Sequence, residues 1–574
     1  MSATNTTQLT KAPQKVKGPR GIAYNPRFYR ALEIFPGFLT WSIVLAPFYL
    51  SFVAPVFFAY AIIAFDLYWL LKSVRMSYGL ILAYRRYKSA KEFDWGKRMD
   101  QLNDIEGALA DCTSQYNSKH RLSLSALLSF SPTAREKAIR DKTMRADMTY
   151  LENLNEHKGL LLRPADIYQL IVMPSYIVDF DIVRPSIEAV KNSLYDPKKV
   201  IFVLAYEERG GKESEKKALT LAKEYADDFA YFEAIKHPDG IPGELRGKGA
   251  NITYAAKQIL PWITQKGYNP SNVIVTTLDE DNRVDQNYFA ALTVAYCSDP
   301  NRLHRSFQPI VMFLNNIWDA AAPMRVIASG NSFWNMVEMT RPHRLRNFAS
   351  HAQGLQSLID TDFWTVTSVV EDGHQFWRSY FTYDGDHSVV PVYTPIYHDA
   401  ILADSYRKTF KGQFVQLRRW AWGISDFPYV VTESIKNKRI PFWNKVVQTF
   451  RLLEGHVSWA TAPLILLYYA WLPLVINPGY RSIVLAHQLP VMASRILTFA
   501  TVGLFSSIWI SLLLLPPRPA RYKRRRLVSM LAQWVLLPFT TIAFGAMAAL
   551  NAQTRLMLGK YREEFDVTPK SVKK

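Results

Sequence analysis

Val273-Ile-Val-Thr-Thr277, followed by Leu278-Asp279-Glu280-Asp281-Asn282, is the stretch on which the reading of this chain turns. Five residues rich in β-branched side chains, closed by a polar turn, predict a short buried strand. Asp279 and Asp281 lie two residues apart. In extended backbone their carboxylates leave on one side, where a hard divalent cation could bridge them to a diphosphate. A solvated acidic turn is the alternative reading of this segment alone. Ile167-Tyr-Gln-Leu-Ile-Val-Met173, Val200-Ile-Phe-Val-Leu204 and Ser388-Val-Val-Pro-Val-Tyr393 are further strand candidates, separated by segments long enough for helices. This alternation predicts an α/β domain with a mostly parallel sheet, whose ligands bind beyond the carboxyl ends of the strands.

Two more stretches carry chemistry. Val369-Val-Glu371-Asp372-Gly-His374 delivers a carboxylate pair from an apolar run to the start of a helix. There the dipole favours the ionised form, and Asp372 could serve as a general base. The alternative is an ordinary helix cap by Asp372. His374 reads as a supporting or surface residue rather than a metal ligand. In Gln413-Phe-Val-Gln416-Leu-Arg418-Arg419-Trp420-Ala-Trp422-Gly423, helical spacing puts Gln416, Arg419 and Trp420 on one face. They offer an amide, a guanidinium suited to pyrophosphate, and an indole for a sugar ring. An amphipathic helix at a membrane surface would look similar. Gly247-Lys248-Gly249 fits neither a dinucleotide fingerprint nor a Walker loop.

The remainder of the chain is divided by hydropathy. Of 574 residues, 49% are hydrophobic and the net charge is +20. Mean hydropathy is only −0.07, so the apolar residues must be gathered in blocks. Ile34 to Phe65 is an uncharged run of 32 residues, continued by apolar sequence to Leu71, and predicts a transmembrane hairpin. Val457–Ile476 and Ile496–Pro517 are each long enough to span, around a breaker turn at Asn477-Pro-Gly-Tyr480. Lys and Arg crowd the segments before Glu33, after Lys72 and over Arg518–Arg526, which places these on the cytoplasmic side. Leu527–Thr554, with Pro538 in its middle, reads as an in-plane or re-entrant segment broken at that proline, which keeps both termini cytoplasmic. The divisions expected are a tail over 1–33, a hairpin over 34–73, a helical connector over 74–160, and a catalytic domain over 161–402. Interface helices over 403–452, a second hairpin over 453–517, a basic loop with an interfacial segment over 518–555, and a tail over 556–574 complete the chain. Cys112 and Cys297 are too few for a disulfide framework or a four-cysteine zinc site. With the basic residues beside the apolar blocks and no recognition motif, a nucleic-acid partner is not expected.

In order, these segments resemble the membrane-embedded family 2 glycosyltransferases, in particular the processive cellulose and hyaluronan synthases. The resemblance covers about residues 165 to 425 with the flanking helices and tail. It implies a GT-A-type, Rossmann-like catalytic domain on the cytoplasmic face of the plasma membrane, inserted between transmembrane helices. It implies an inverting transfer from a nucleotide sugar, UDP-linked in the family, to a growing glycan, with export of the product. Asp279 would contact the nucleotide and, with Asp281, hold Mg2+ or Mn2+. Asp372, beside Glu371, would be the base. Gln416, Arg419 and Trp420 match the family's Gln-x-x-Arg-Trp motif for pyrophosphate and acceptor. Leu245-Arg-Gly-Lys248-Gly-Ala-Asn251 resembles its nucleotide loop, and Phe565-Asp-Val567-Thr568-Pro-Lys570 its gating loop. The chain departs from the family where Tyr206-Glu207-Glu208-Arg209-Gly210 replaces Asp-Asp-Gly, so that Glu207 or Glu208 would take the nucleotide-binding role, and where Val370 replaces a threonine. A cyclic-dinucleotide-binding domain after the tail is not expected. A single-addition transferase making a glycolipid, with a lipid acceptor, and a non-catalytic assembly subunit are the alternatives.

Overall fold

A computed structural model describes residues 25–119 and 132–561. The gating-loop residues Phe565, Val567, Thr568 and Lys570 lie outside the described residues. Eight strands form one sheet: β1 Tyr168–Ser175, β2 Val200–Glu207, β3 Tyr231–His237, β4 Val273–Thr277, β5 Arg283–Val284, β6 Arg305–Met312, β7 Ala352–Gly354 and β8 Ser388–Tyr397, in the order β3-β2-β1-β4-β7-β6-β8-β5. Four strands at one end run parallel, with β1 between β2 and β4. The far half is mixed, since β7 runs antiparallel to β4 and β6, while β6 and β8 are parallel and β5 is antiparallel to β8. The expected strands are present and the sheet is mostly parallel as expected, with β5 and β7 running against the other six. The three-residue β7 is too short to show a period in sequence.

Every residue of β2 is buried, as a strand covered on both faces requires. One face is covered by helices Phe180–Lys191, Gly211–Glu224 and Tyr288–Cys297, the other by helices Lys248–Gln265 and Leu355–Asp360. Cys297 is buried in the first of these layers, and both cysteines are free.

Beside the sheet domain stand five helices long and apolar enough to cross a membrane: Pro26–Val53, Pro55–Glu92, Phe442–Ile476, Val484–Leu513 and Arg525–Met557. They present large apolar side chains outward, with Phe38, Phe57, Phe499 and Phe505 all more than 60% exposed. Unpartnered faces of this kind are rare on proteins surrounded by water. No break falls at 73 or at 453, where domain boundaries were expected: Pro55–Glu92 continues to the sheet domain, and the later helix begins at Phe442.

Arg525–Met557 differs from expectation. Pro538 does not break it. A 3-10 turn over Gln533–Leu536 precedes the proline and a π turn over Thr541–Ala546 follows, so the distortion is absorbed within a continuous helical run. Its beginning is held by the sheet domain, where Arg325 donates to Gln533 and the preceding Arg521 pairs with Asp319. Its end lies against the start of Pro26–Val53, with Arg30 donating to the Leu556 carbonyl at 2.9 Å and Tyr561 to Glu33 at 2.6 Å. Asn477, in contrast, donates to the Phe52 carbonyl at the opposite end of that first helix. Both ends of Arg525–Met557 therefore lie on the side of the sheet domain.

Candidate active site

The carboxyl end of β4 opens into the turn Leu278–Asn282. Asp279, Asp281 and His398 converge there, with one ligand atom from each within 4.8 Å of the others. Asp281 is 8% exposed and accepts from the Asp399 amide at 3.2 Å, so the bare solvated turn is not what forms. His398 follows immediately after β8. Its Nε2 lies 3.2 Å from Ser350 Oγ, and that hydroxyl donates to Asn282 Oδ1 at 2.8 Å. With its proton committed to Asn282, Ser350 can accept from Nε2–H, an arrangement that in the neutral ring puts the lone pair on Nδ1. Metal-binding histidines are commonly oriented by such a hydrogen bond from the other nitrogen. Ser350 has φ 66°, a left-handed conformation a serine rarely adopts and one held here by those two contacts.

A second group of carboxylates adjoins the first. Helix Glu371–Thr382 brings Glu371 and Asp372 in its first turn, and its cap is Val370 with no side-chain bond. Asp372 is thus not the capping residue. Helix Lys248–Gln265 begins alongside, and Gly249 permits the approach: a Cβ there would stand 2.4 Å from the Thr365 carbonyl and 3.0 Å from the Glu371 Cβ. Lys248 Nζ consequently reaches Asp279 at 3.1 Å, Glu371 at 3.3 Å and Asp372 at 3.2 Å. Burial alone would lower the Lys248 pKa, but these three carboxylates outweigh it and hold the ammonium well above the usual lysine range. Arg419 feels the same three carboxylates, although burial pulls it below the usual arginine range. Four carboxylates and two cations meet, leaving a formal excess of two negative charges. Two carboxylates and an imidazole at the negative side of such a site fit Mg2+ or Mn2+, the imidazole favouring the latter.

The two members of the Glu-Asp pair have different environments. Glu371 has a 3% exposed side chain and Asp372 a 20% exposed one. Burial, and then the charge of Asp372, raises Glu371 from 4.5 to about 7. Asp372 also lies 3.6 Å from His351 Nδ1. That imidazole is lowered by burial, donates Nδ1–H to the Phe348 carbonyl at 3.0 Å and accepts from Trp364 Nε1 at 3.3 Å, so it is neutral. Between about pH 4.5 and 7 the folded protein retains on Glu371 a proton that the unfolded chain releases. Stability from this group therefore falls as pH rises through that window. Thermal unfolding of Glu371→Gln against the parent at several pH values should show the variant gaining on the parent up to about pH 7. Parallel curves would contradict this.

The third motif lies on helix Tyr406–Ala421, where Gln416 accepts from Gln413 at 3.1 Å and Trp420 packs 5.9 Å from the Phe313 ring. Phe313 in turn lies 5.4 Å from His398, which links this helix to the acidic turn. Buried Thr409, Gly412, Gln413 and Leu417 seat the helix inward, so it does not lie free as an amphipathic surface helix. His374 pairs with Asp426 at 2.8 Å and supports this region rather than binding metal.

At the end of β2, Glu207 is buried and takes both Nε and Nη2 of Arg209. Glu208 accepts the Asp239 amide at 3.0 Å. Glu207, Arg209 and Asp239 line a cavity of about 100 Å³ with His237, Glu244 and Arg246. The structure thus brings Lys248, Asp279, Asp281, Glu371, Asp372 and Arg419 into one site, with Gln416 and Trp420 on the adjoining helix and Glu207 and Glu208 at the next strand end. His398 and His351 were not foreseen. Placing the end of β8 at Tyr393 hid His398, because Pro391 and Pro395 obscure the strand's last residues.

No family model matches the chain, and no curated protein matches it. Among solved structures, a mannosyltransferase, PcManGT from Pyrobaculum calidifontis, in complex with GDP-Man and Mn2+, is 14% identical with a TM-score of 0.36, over 70% of this chain and 89% of that one. S. aureus TarS 1–349 in complex with UDP-GlcNAc is 11% identical with a TM-score of 0.33, over 69% and 93%. Likenesses this slight bear no weight on fold or function.

Proposed function

We propose that the chain is an inverting, metal-dependent glycosyltransferase that uses a nucleotide-sugar donor, UDP-linked by resemblance, and extends a polysaccharide at the cytoplasmic face of a membrane. The observation that carries the proposal is the joining of the Asp279, Asp281 and His398 group to Asp372 through the buried cation Lys248. Asp279, Asp281 and His398 would hold Mg2+ or Mn2+, which supplies charge neutralisation for a departing diphosphate. Lys248 and Arg419 add fixed positive charge on the same side, and neither needs to reorganise during reaction. Within the Glu371–Asp372 pair, Asp372 is the carboxylate with access from outside. It takes the proton of the acceptor hydroxyl as that oxygen bonds to the anomeric carbon, and the bond from that carbon to the diphosphate breaks with its electron pair leaving on the nucleotide.

Five helices long and apolar enough to cross a membrane support a bilayer location, and the same-side ends of Arg525–Met557 suit an in-plane helix beneath the sheet domain with both termini cytoplasmic. A non-catalytic assembly role is favoured by one observation, the engagement of Glu207 by Arg209 where a nucleoside would be read. Calorimetry separates the two. Full-length protein in detergent should bind UDP in the presence of Mn2+, and Asp281→Asn should lose this metal-dependent binding by about tenfold or more, a charge-assisted contact to a metal being worth more than an ordinary hydrogen bond. Equal binding with chelator present would contradict the metal assignment. No binding of any nucleoside diphosphate by the parent would favour the assembly role.

A further inference from the structure

A second charged site lies away from the carboxylates. Arg75 on helix Pro55–Glu92, Arg341, His343 and Arg344 in the turn after helix Ala322–Met339, and Arg451 on helix Phe442–Ile476 gather where the apolar helices meet the sheet domain. Gly79 sets the packing: a Cβ there would stand 3.3 Å from Val337. Arg451 donates to the His343 carbonyl at 3.1 Å. His343 is lowered by partial burial and then by the charges of Arg451, Arg344, Arg75 and Arg341, which places all four guanidiniums within reach of it. Among the described residues, the one carboxylate paired with this group is Glu338, 3.1 Å from Arg341. Glu454, nearby on the same helix as Arg451, is paired with Lys72 at 3.4 Å. Among the described residues, Arg75 and Arg344 make no ion pair.

Like charges brought together without a counterion repel one another, and the cost is met when an anion joins them. What surrounds the cluster identifies the anion. On the face of Arg75, Leu71 and Tyr78 are 71% and 70% exposed, and beside Arg451 Phe450 is 63% exposed. A free anion needs no apolar rim, whereas an amphiphile with a charged head does. Basic sites between helices at the cytoplasmic end of a bundle are suited to lipid headgroups.

We propose that this junction binds the phosphate headgroup of an anionic phospholipid, its acyl chains lying along Leu71, Tyr78 and Phe450. The proposal rests on the membrane reading of the apolar helices. The test reconstitutes the full chain into bilayers of phosphatidylcholine doped with phosphatidylglycerol and compares the lipid retained around the protein, using spin-labelled forms of each. The parent should retain phosphatidylglycerol in preference to phosphatidylcholine. Joint Arg75→Gln and Arg344→Gln substitution should cut that preference on the order of tenfold, given roughly fivefold per surface charge. The corresponding Lys pair should keep most of it. Among the described residues neither arginine makes an ion pair, so the variants should fold, and the preference of the parent is itself a test that needs no variant. An unselective parent, or Gln variants as selective as the parent, would overturn the proposal alone. Inorganic phosphate that displaces the labelled lipid at matched concentration would show a free-anion site and overturn it too. Protein that does not enter bilayers would overturn the membrane reading as well.

Discussion

Asp372→Asn is expected to lower turnover by about 10²-fold or more while nucleotide affinity stays near that of the parent. Asparagine keeps the size of the side chain and can still meet Lys248, which retains Asp279 and Glu371 as partners. What is lost is the proton acceptor. Glu371 does not substitute for it, because its side chain is buried away from an incoming acceptor. Near-normal turnover in the variant would show that Asp372 only positions Lys248 and that another group is the base. Single-turnover measurements beside nucleotide titrations separate these outcomes.

The second large effect is expected at Lys248. Lys248→Met leaves Asp279, Glu371 and Asp372 facing one another with one charge fewer to hold them. Breaking a buried ion pair by removing one partner costs about 3–5 kcal/mol. The variant should unfold at clearly lower temperature at neutral pH. The deficit should shrink in mild acid, as protonation of the carboxylates relieves their repulsion, and Mn2+ should restore part of it at neutral pH by supplying positive charge at Asp279 and Asp281. A melting temperature equal to the parent's at neutral pH would mean that the carboxylates are already neutral in the folded protein. In that case the charge balance described for the site would be wrong.

Sequence reading reached the elements whose pattern is local. β2 and β4 are continuous apolar runs, and the Asp-x-Asp turn follows β4 directly, so strand and carboxylates are legible together. The helix that starts at Glu371 is announced by the apolar run before it. Lys248 was legible only as part of a loop. Its position among three carboxylates depends on Gly249 allowing two helix starts to touch, which is a tertiary fact. His398 was missed because two prolines in β8 disguise the strand's length, and His351 because β7 is three residues long. The antiparallel step between β4 and β6 depends on that same short strand. Pro538 misled in the other direction: a proline in an apolar run suggests a break, but a 3-10 turn over Gln533–Leu536 just before it accommodates the lost hydrogen bond.

The central claim is that this site transfers sugar from a nucleotide. Full-length protein in detergent with Mn2+, offered a panel of nucleotide sugars together with membrane extract as acceptor, should release free nucleotide from one of them and place its radiolabelled sugar in a larger product. Asp281→Asn and Asp372→Asn should both fail to do so. Release of no nucleotide from any donor by protein that binds UDP and Mn2+, or release undiminished in both variants, would contradict the account.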